Sequence, residues 1–283
     1  MSGGRYVLFG QPVANSLSPR IHAEFARQSS IALDYRTQET SVEQFSGALD
    51  AFVRAGGAGA NVTQPLKALA FNAAATHGKA AARAGVVNTL TRRDDRWHGD
   101  NTDGAGLVRD LAERRGLDLR GRQVLLLGAG GASAGVLPAL LDAGVESVTL
   151  VNRTLQRAEQ LAERHDLPAR LHVRKWEDLA TLGAFDCVID ATSVGHLGGA
   201  MTLPFAIVGT RALAVSLSYG AAAAQFIGWA RAAGCSDVHD GLGMLIEQAA
   251  ESFAIWHGVR PDTVPVHAAL EAGRGEAALL ATD

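Results

Sequence analysis

Apolar residues follow two rhythms along the chain. Short unbroken runs closed by glycine or polar clusters read as strands, and stretches with an apolar residue every three to four positions read as helices. The first rhythm predicts strands at Arg5–Phe9, Leu33–Thr37, Ala60–Val62, Val86–Thr91, Gln123–Leu127, Val148–Val151, Leu171–Val173, Cys187–Asp190 and Ala212–Leu217. A hairpin turn near Asp94-Asp95 is followed by a return strand at about Arg96-Trp97. The second rhythm predicts helices from Pro19 to about Ser29, from Val42 to Ala55 (Phe45, Leu49, Phe52, Val53) and after Pro65. It continues with Leu107 to Arg115, Ala132 to Ala143, Leu155 to His165, Glu177 to Leu182 and Ala222 to Ala233, and Gly241-Leu-Gly243 opens a long last helix. The stripe Met244, Leu245, Ala249, Phe253 and Trp256 is core packing, with Gln248 beside it. Ser18, Thr63 and Thr154 stand where helix N-caps belong. Alternation of strands and helices throughout predicts an α/β fold. A domain boundary is expected between about Asn101 and Gly121.

The run at Gln123–Leu127 leads into Gly128-Ala129-Gly130-Gly131-Ala132 and then a helix of small residues. Strand, glycine turn and helix N-terminus together can hold a dinucleotide pyrophosphate on free amides and a positive helix end. A tight turn with no ligand has the same pattern. The next strand ends in Asn152-Arg153-Thr154, about 24 residues beyond Gly128. An NAD site places an acid there for the ribose 2′-hydroxyl; a guanidinium instead suits a 2′-phosphate, which an acid would repel. An arginine at a helix start also serves solubility. The cofactor reading is NADP.

Length and composition narrow the rest. The chain has 283 residues, enough for two moderate domains, and 47% hydrophobic against 19% charged residues describes a soluble globular protein. A net charge of −3 argues against nucleic acid as partner. Cys187 and Cys235 lack the spacing of a metal site or disulfide framework, so no metal is expected. No stretch has the length of a membrane span and no leader is visible, so the expected setting is the cytoplasm. Of the 26 basic residues only Lys67, Lys79 and Lys175 are lysines, a background in which a retained lysine draws notice for proton transfer.

Lys67 falls in the first turn of its helix, where the dipole disfavours a cation; a solvent-facing lysine is the plain alternative. Ser16 and Ser18 flank another helix start, where hydroxyls either cap or bind a carboxylate. Thr102 and Asp103 stand in a polar, turn-rich run ahead of a helix and serve equally as its cap.

Taken in order, Gly10-x-Pro12-x-x-x-Ser16-x-Ser18-Pro19-x-x-His22, Asn61-Val-Thr63-x-Pro65-x-Lys67 and Val87-Asn88-Thr89 resemble the shikimate dehydrogenase family. So do Asp100-Asn101-Thr102-Asp103-x-x-Gly106, the Gly128 loop, Asn152-Arg153-Thr154 and Gly241-x-Gly243-Met244-Leu245-x-x-Gln248-Ala249. The resemblance implies an α/β substrate-binding domain, residues 1–104 completed by 241–283, and a Rossmann-type doubly wound NADP-binding domain, 105–240, with a cleft between them. The return of 241–283 follows because Gln248 must reach the cleft of Ser16 and Lys67. It further implies reversible, NADPH-dependent reduction of 3-dehydroshikimate to shikimate by a monomer or homodimer. By the same resemblance Lys67 and Asp103 form the catalytic pair. Ser16 and Ser18 bind the substrate carboxylate, and Thr63, Asn88, Tyr219 and Gln248 complete the substrate site. Gly128, Ala129, Gly130, Gly131, Ala132, Asn152, Arg153, Thr154, Arg157, Thr192 and Gly241 hold the cofactor.

The pattern has departures. Family members carry Asp where Ser216 stands and Asn where Asp190 stands; a Pro and a Thr after Tyr219 are Ala221 and Ala224. Asp190 puts a negative charge near the cofactor phosphates. A quinate/shikimate or amino-shikimate dehydrogenase is the near alternative, and a catalytically weak dinucleotide-binding protein the distant one.

Overall fold

The run at Gln123–Leu127 is a strand buried on both faces. Val124 and Leu126 lie in one core with Leu137, Leu140, Val148 and Leu150, while Leu125 and Leu127 join Val151, Val188, Ala214 and Phe226 in another. Two dry faces require helices over both, which is how parallel sheets are covered. The computed structural model describes residues 4–280.

The elements begin β1 (Gly4–Gly10), α1 (Ser18–Gln28), β2 (Leu33–Glu39), α2 (Phe45–Arg54), β3 (Gly57–Val62), α3 (Lys67–Ala73), β4 (Thr76–His77) and α4 (Lys79–Ala84). They continue β5 (Thr89–Arg93), β6 (Arg96–Asp100), α5 (Asp103–Val108), β7 (Gln123–Leu127), α6 (Gly131–Asp142), β8 (Ser147–Asn152), α7 (Leu155–Glu163) and β9 (Leu171–Lys175). The last are β10 (Phe185–Asp190), β11 (Val208–Ser216), α8 (Ala224–Ala232), β12 (Asp237–His239), α9 (Leu242–His257) and α10 (Val264–Leu280).

The chain divides into two compact units. The first comprises Met1–Gly78, Val87–Thr102 and Leu245–Asp283; the second comprises Lys79–Val86 and Asp103–Met244. In the first, a six-stranded sheet runs β2-β1-β3-β5-β6-β4, parallel through β2-β1-β3 and antiparallel at β3-β5-β6. Its register sets Asn61 opposite Thr89 and Thr89 opposite Asp100. Phe9, Ile21, Phe25, Leu66, Leu90 and Phe253 are fully buried there. In the second, all six strands are parallel in the order β12-β11-β10-β7-β8-β9. That is the doubly wound arrangement, whose order reverses between β7 and β10 and whose ligands bind beyond the carboxyl ends at that point. α4 belongs to this unit because Ala84 and Val86 enter the core around α6, and Arg83 reaches Asp142 at 3.0 Å.

Three expected side-chain caps are not made. α1 begins at Ser18, and the Ser18 amide donates to Ser16 Oγ at 3.2 Å, so the capping oxygen comes from Ser16 instead. α3 begins at Lys67 because a turn closed by Leu66 N–H on Thr63 O (2.9 Å) comes first, which leaves the Thr63 hydroxyl out of the cap. Thr154 is at the N-cap of α7, but its hydroxyl makes no cap bond; Asn152 Nδ2 secures the turn by donating to Thr154 O at 2.8 Å. The segment predicted as helix Leu107–Arg115 starts earlier, at Asp103, and passes into a π-helical turn over Arg109–Arg114.

Candidate active site

In the first unit the β3–β5 register brings a set of buried polar groups together. Asn61 (6% exposed) accepts from Tyr35 Oη at 2.8 Å and donates to Ser252 Oγ at 3.0 Å, Asn88 O at 3.2 Å and Thr89 Oγ1 at 3.3 Å. Asn88 Nδ2 donates to Thr102 Oγ1 (2.9 Å) and Gln248 Oε1 (3.1 Å), while its Oδ1 accepts from Thr102 N–H (2.9 Å) and Thr89 Oγ1 (2.8 Å). Thr102 Oγ1 also donates to Gln248 Oε1 at 3.2 Å. Asn88 and Gln248 are 160 residues apart in sequence. Buried polar groups without partners are costly, so a network this fully satisfied fixes the positions of its members.

Behind it, His22 is fully buried and stacks on Tyr35 with ring centroids 4.2 Å apart. Burial holds its imidazole neutral, down to about 3, and pushes the Tyr35 phenol up. Ser16 Oγ and Ser18 Oγ lie 3.2 Å apart at the start of α1. Gly10 ends β1 where no side chain fits, since a Cβ there would run into the Thr63 methyl. Lys67 opens α3, and its carbonyl accepts from Val87 N–H at 3.0 Å, tying α3 to the segment that carries Asn88.

In the second unit the carboxyl ends of β8, β7 and β10 lie side by side, with Leu127 paired to Val151 on one flank and Asp190 on the other. Gly128 follows β7 with φ +98°, and a Cβ there would sit 3.1 Å from Ala191 O. The positive φ favours glycine, and the tight approach to Ala191 leaves little room for a side chain. Gly130 occupies the N-cap of α6 without a side-chain bond. Asn152 Oδ1 accepts from Ala129 N–H (3.2 Å) and Ser133 Oγ donates to Gly128 O (2.6 Å), which braces the loop from both sides. Arg153 and Arg157 are exposed, and among the described residues their guanidinium groups make no hydrogen bond or ion pair; Arg157 N–H donates to Thr154 O at 3.1 Å within the first turn of α7. Thr192 donates both its amide (3.0 Å) and its hydroxyl (2.7 Å) to Asp190 Oδ1. Gly241 packs on the end of β11, donating to Ser218 O at 2.8 Å, and a Cβ there would meet Leu217 O at 2.5 Å. A glycine cradle at a helix N-terminus with two uncommitted guanidinium groups beyond the next strand fits a dinucleotide bearing a 2′-phosphate.

Ser16, Ser18, Thr63, Lys67, Asn88 and Gln248 therefore all lie in the first unit. The residues expected to hold the cofactor lie in the second, as do Asp103 at the first position of α5 and Tyr219 just after β11. Sequence reasoning left Asn61, Thr102 and Ser252 out of the site, although the structure makes them the centre of the polar network. Ser252 had a usable signal: it stands four residues after Gln248, on the same face of α9.

Three family models match the chain: a shikimate dehydrogenase substrate-binding domain over residues 8–90, shikimate/quinate 5-dehydrogenase over 110–197, and a shikimate 5′-dehydrogenase C-terminal domain over 241–271. A shikimate dehydrogenase (NADP(+)) of Xanthomonas euvesicatoria pv. vesicatoria is 55% identical over 285 residues, covering 100% of both chains. Among solved structures, an Ael1 enzyme from Pseudomonas putida has a TM-score of 0.84 at 40% identity over 93% of this chain and 97% of its own. Shikimate 5-dehydrogenase from Thermus thermophilus in complex with NADP(H) and shikimate has a TM-score of 0.78 at 32% identity, over 92% and 96%.

Proposed function

We propose, for a chain that belongs to the shikimate dehydrogenase family, that Lys67 and Asp103 carry the proton chemistry, that most substrate contacts come from the first unit, and that the cofactor contacts come from the second, which also supplies Asp103 and Tyr219. The activity is the reversible, NADPH-dependent reduction of 3-dehydroshikimate to shikimate, and the cofactor is NADP. NADPH supplies the hydride that reduces the ring ketone. The chain's residues must then deal with a developing alkoxide. Lys67, an ammonium, stabilises that charge and delivers the proton, and Asp103 is the carboxylate of the catalytic pair that the family resemblance assigns. The Ser16 and Ser18 hydroxyls take the substrate carboxylate. Thr63, Asn88, Gln248 and Tyr219 meet the ring hydroxyls, where a missing partner would be heavily penalised.

The cofactor assignment gives the pyrophosphate to Gly128–Ala132, the 2′-phosphate to Arg153, Thr154 and Arg157, and supporting contacts to Asn152, Thr192 and Gly241. The observation that carries the substrate assignment is the preformed Asn88–Thr102–Gln248 cluster in the unit that also holds Ser16, Ser18 and Lys67. No helix among the described residues is long and apolar enough to cross a membrane. A cytoplasmic monomer or homodimer, drawing on the NADPH pool, fits this reading. The direct test is steady-state assay of the purified protein with shikimate and with quinate, each with NADP and NAD. Shikimate with NADP should give the highest kcat/KM; equal use of quinate, or of NAD, would overturn the specificity assigned here.

A further inference from the structure

At the end of β10 stands a carboxyl group for which the assigned chemistry has no use. Asp190 is 5% exposed and pairs in register with Leu127 on one side and Ser216 on the other. It lies where the strand order reverses, the point at which this fold binds its ligand. Its Oδ1 takes the Thr192 amide and hydroxyl, and its Oδ2 takes Ser216 Oγ at 3.2 Å. Ser216 Oγ accepts in turn from Ser218 N–H at 3.2 Å, and Ser218 Oγ is 3.1 Å from His196 Nε2. One carboxyl thus ties the ends of β10 and β11 to the Ala191–Thr192 turn, whose carbonyl and amide form the wall beside Gly128.

We propose that Asp190 is a positioning residue of the cofactor crevice whose negative charge opposes the dinucleotide's phosphates, so that NADP binds with uptake of a proton. The inference rests on the reading that the Gly128 loop holds the pyrophosphate. An asparagine would fill the same space: its oxygen could keep both Thr192 bonds and its amide could donate to Ser216 Oγ. What the carboxyl adds is the ability to change charge. Among the described residues no lysine or arginine is hydrogen-bonded or ion-paired to Asp190; its three side-chain and backbone donors are neutral, and the titratable group whose charge reaches it is His196, on the turn Gly195–Leu197. Burial pushes the Asp190 carboxyl up, and the bonds from Thr192 and Ser216 and the charge of His196 only partly offset it. A polyanion arriving next to this group favours its neutral form further, since like charges in a poorly screened site repel strongly. By linkage, NADP affinity should fall as pH rises through the carboxyl's titration.

The experiment measures the NADP dissociation constant by titration calorimetry from about pH 5 to about pH 8, in buffers of different ionisation enthalpy so that proton uptake is counted. Wild type is compared with Asp190→Asn, which cannot ionise, and with Ser216→Ala, which removes a donor that favours the charged form. The ratio of dissociation constants, wild type over Asp190→Asn, should climb about tenfold as pH rises, with uptake missing from the variant. Ser216→Ala should move the wild-type inflection to higher pH. Taking the ratio at each pH cancels the titration of the 2′-phosphate itself. Parallel profiles with equal proton uptake would overturn the proposal. Arg153→Ala is the control: if it fails to weaken NADP, the crevice reading has failed. If it weakens NADP while the profiles stay parallel, only the role of Asp190 has.

Discussion

At Lys67 the helix dipole and the proposed chemistry pull in opposite directions. A cation in the first position of α3 faces the positive end of the helix. That placement makes sense for a group that must act on a developing alkoxide. Lys67→Ala is expected to lower kcat by about 10²–10⁴-fold, the range for general acid–base groups, with a much smaller change in KM. Lys67→Arg should do nearly as badly, because a guanidinium does not give up a proton near neutral pH. A Lys67→Arg enzyme of normal kcat would mean that charge alone is needed there. Asn61 is the contrasting case, a residue whose value lies in what it satisfies. Asn61→Leu would strip partners from Tyr35 Oη, Thr89 Oγ1 and Ser252 Oγ in a buried setting. A loss of about 2–4 kcal/mol in urea-unfolding stability is expected. The sequence pointed to Lys67 through local misfit and lysine scarcity, but it could not show Asn61 as a hub, because Asn61 meets Ser252 across 191 residues.

Among the elements, α9 and α10 are joined by a buried charge. Glu247 (4% exposed) accepts from His267 Nε2 at 3.0 Å and from Arg260 Nη2 at 2.6 Å, and Arg260 Nε donates to Glu251 at 2.8 Å. Burial would raise the Glu247 carboxyl, but the bonds from His267, Thr263 and Arg260 outweigh it and hold it down at about 2, against an ordinary 4.5. A depressed carboxyl adds stability above its unfolded value and loses it as pH falls through the folded one. Between pH 4.5 and about pH 2 this tie should lose roughly 3 kcal/mol. Glu247→Gln should be less stable at neutral pH by a similar amount and should lose that part of the acid dependence, read by urea melts at several pH values. A variant as stable as wild type at pH 7 would show that the tie contributes nothing. The apolar stripe of α9 was plain in the sequence. β12, by contrast, is short and reads Asp-Val-His, so no apolar run announced it. α4 was missed for the opposite reason: six residues, mostly alanine, carry no periodicity until Ala84 and Val86 meet the core around α6.

Over the whole molecule, each unit is assembled from separate stretches of chain, and the two kinds of pattern were unequally legible. The doubly wound sheet could be read locally, because strand, glycine turn and helix are contiguous and Val124 to Leu127 are apolar without a break. The membership of Lys79–Val86 could not, since it depends on contacts with residues far along the chain. Ligand-linked stability reports on the second unit as a body. A ligand at a hundredfold its dissociation constant adds about 2.7 kcal/mol to the folded state, enough to raise the melting temperature by roughly 5 °C. NADP should therefore stabilise the protein in a thermal-shift assay more than the same concentration of NAD does. Arg153→Ala removes the guanidinium assigned to the 2′-phosphate while leaving the glycine cradle intact, at a cost of about 1.5–3 kcal/mol in NADP binding. Its NADP shift should drop toward the level of NAD, with Arg157 and Thr154 left to hold the 2′-phosphate, and its NAD shift should equal that of wild type. Equal losses for both cofactors would place Arg153 in the fold of the crevice and not at the 2′-phosphate.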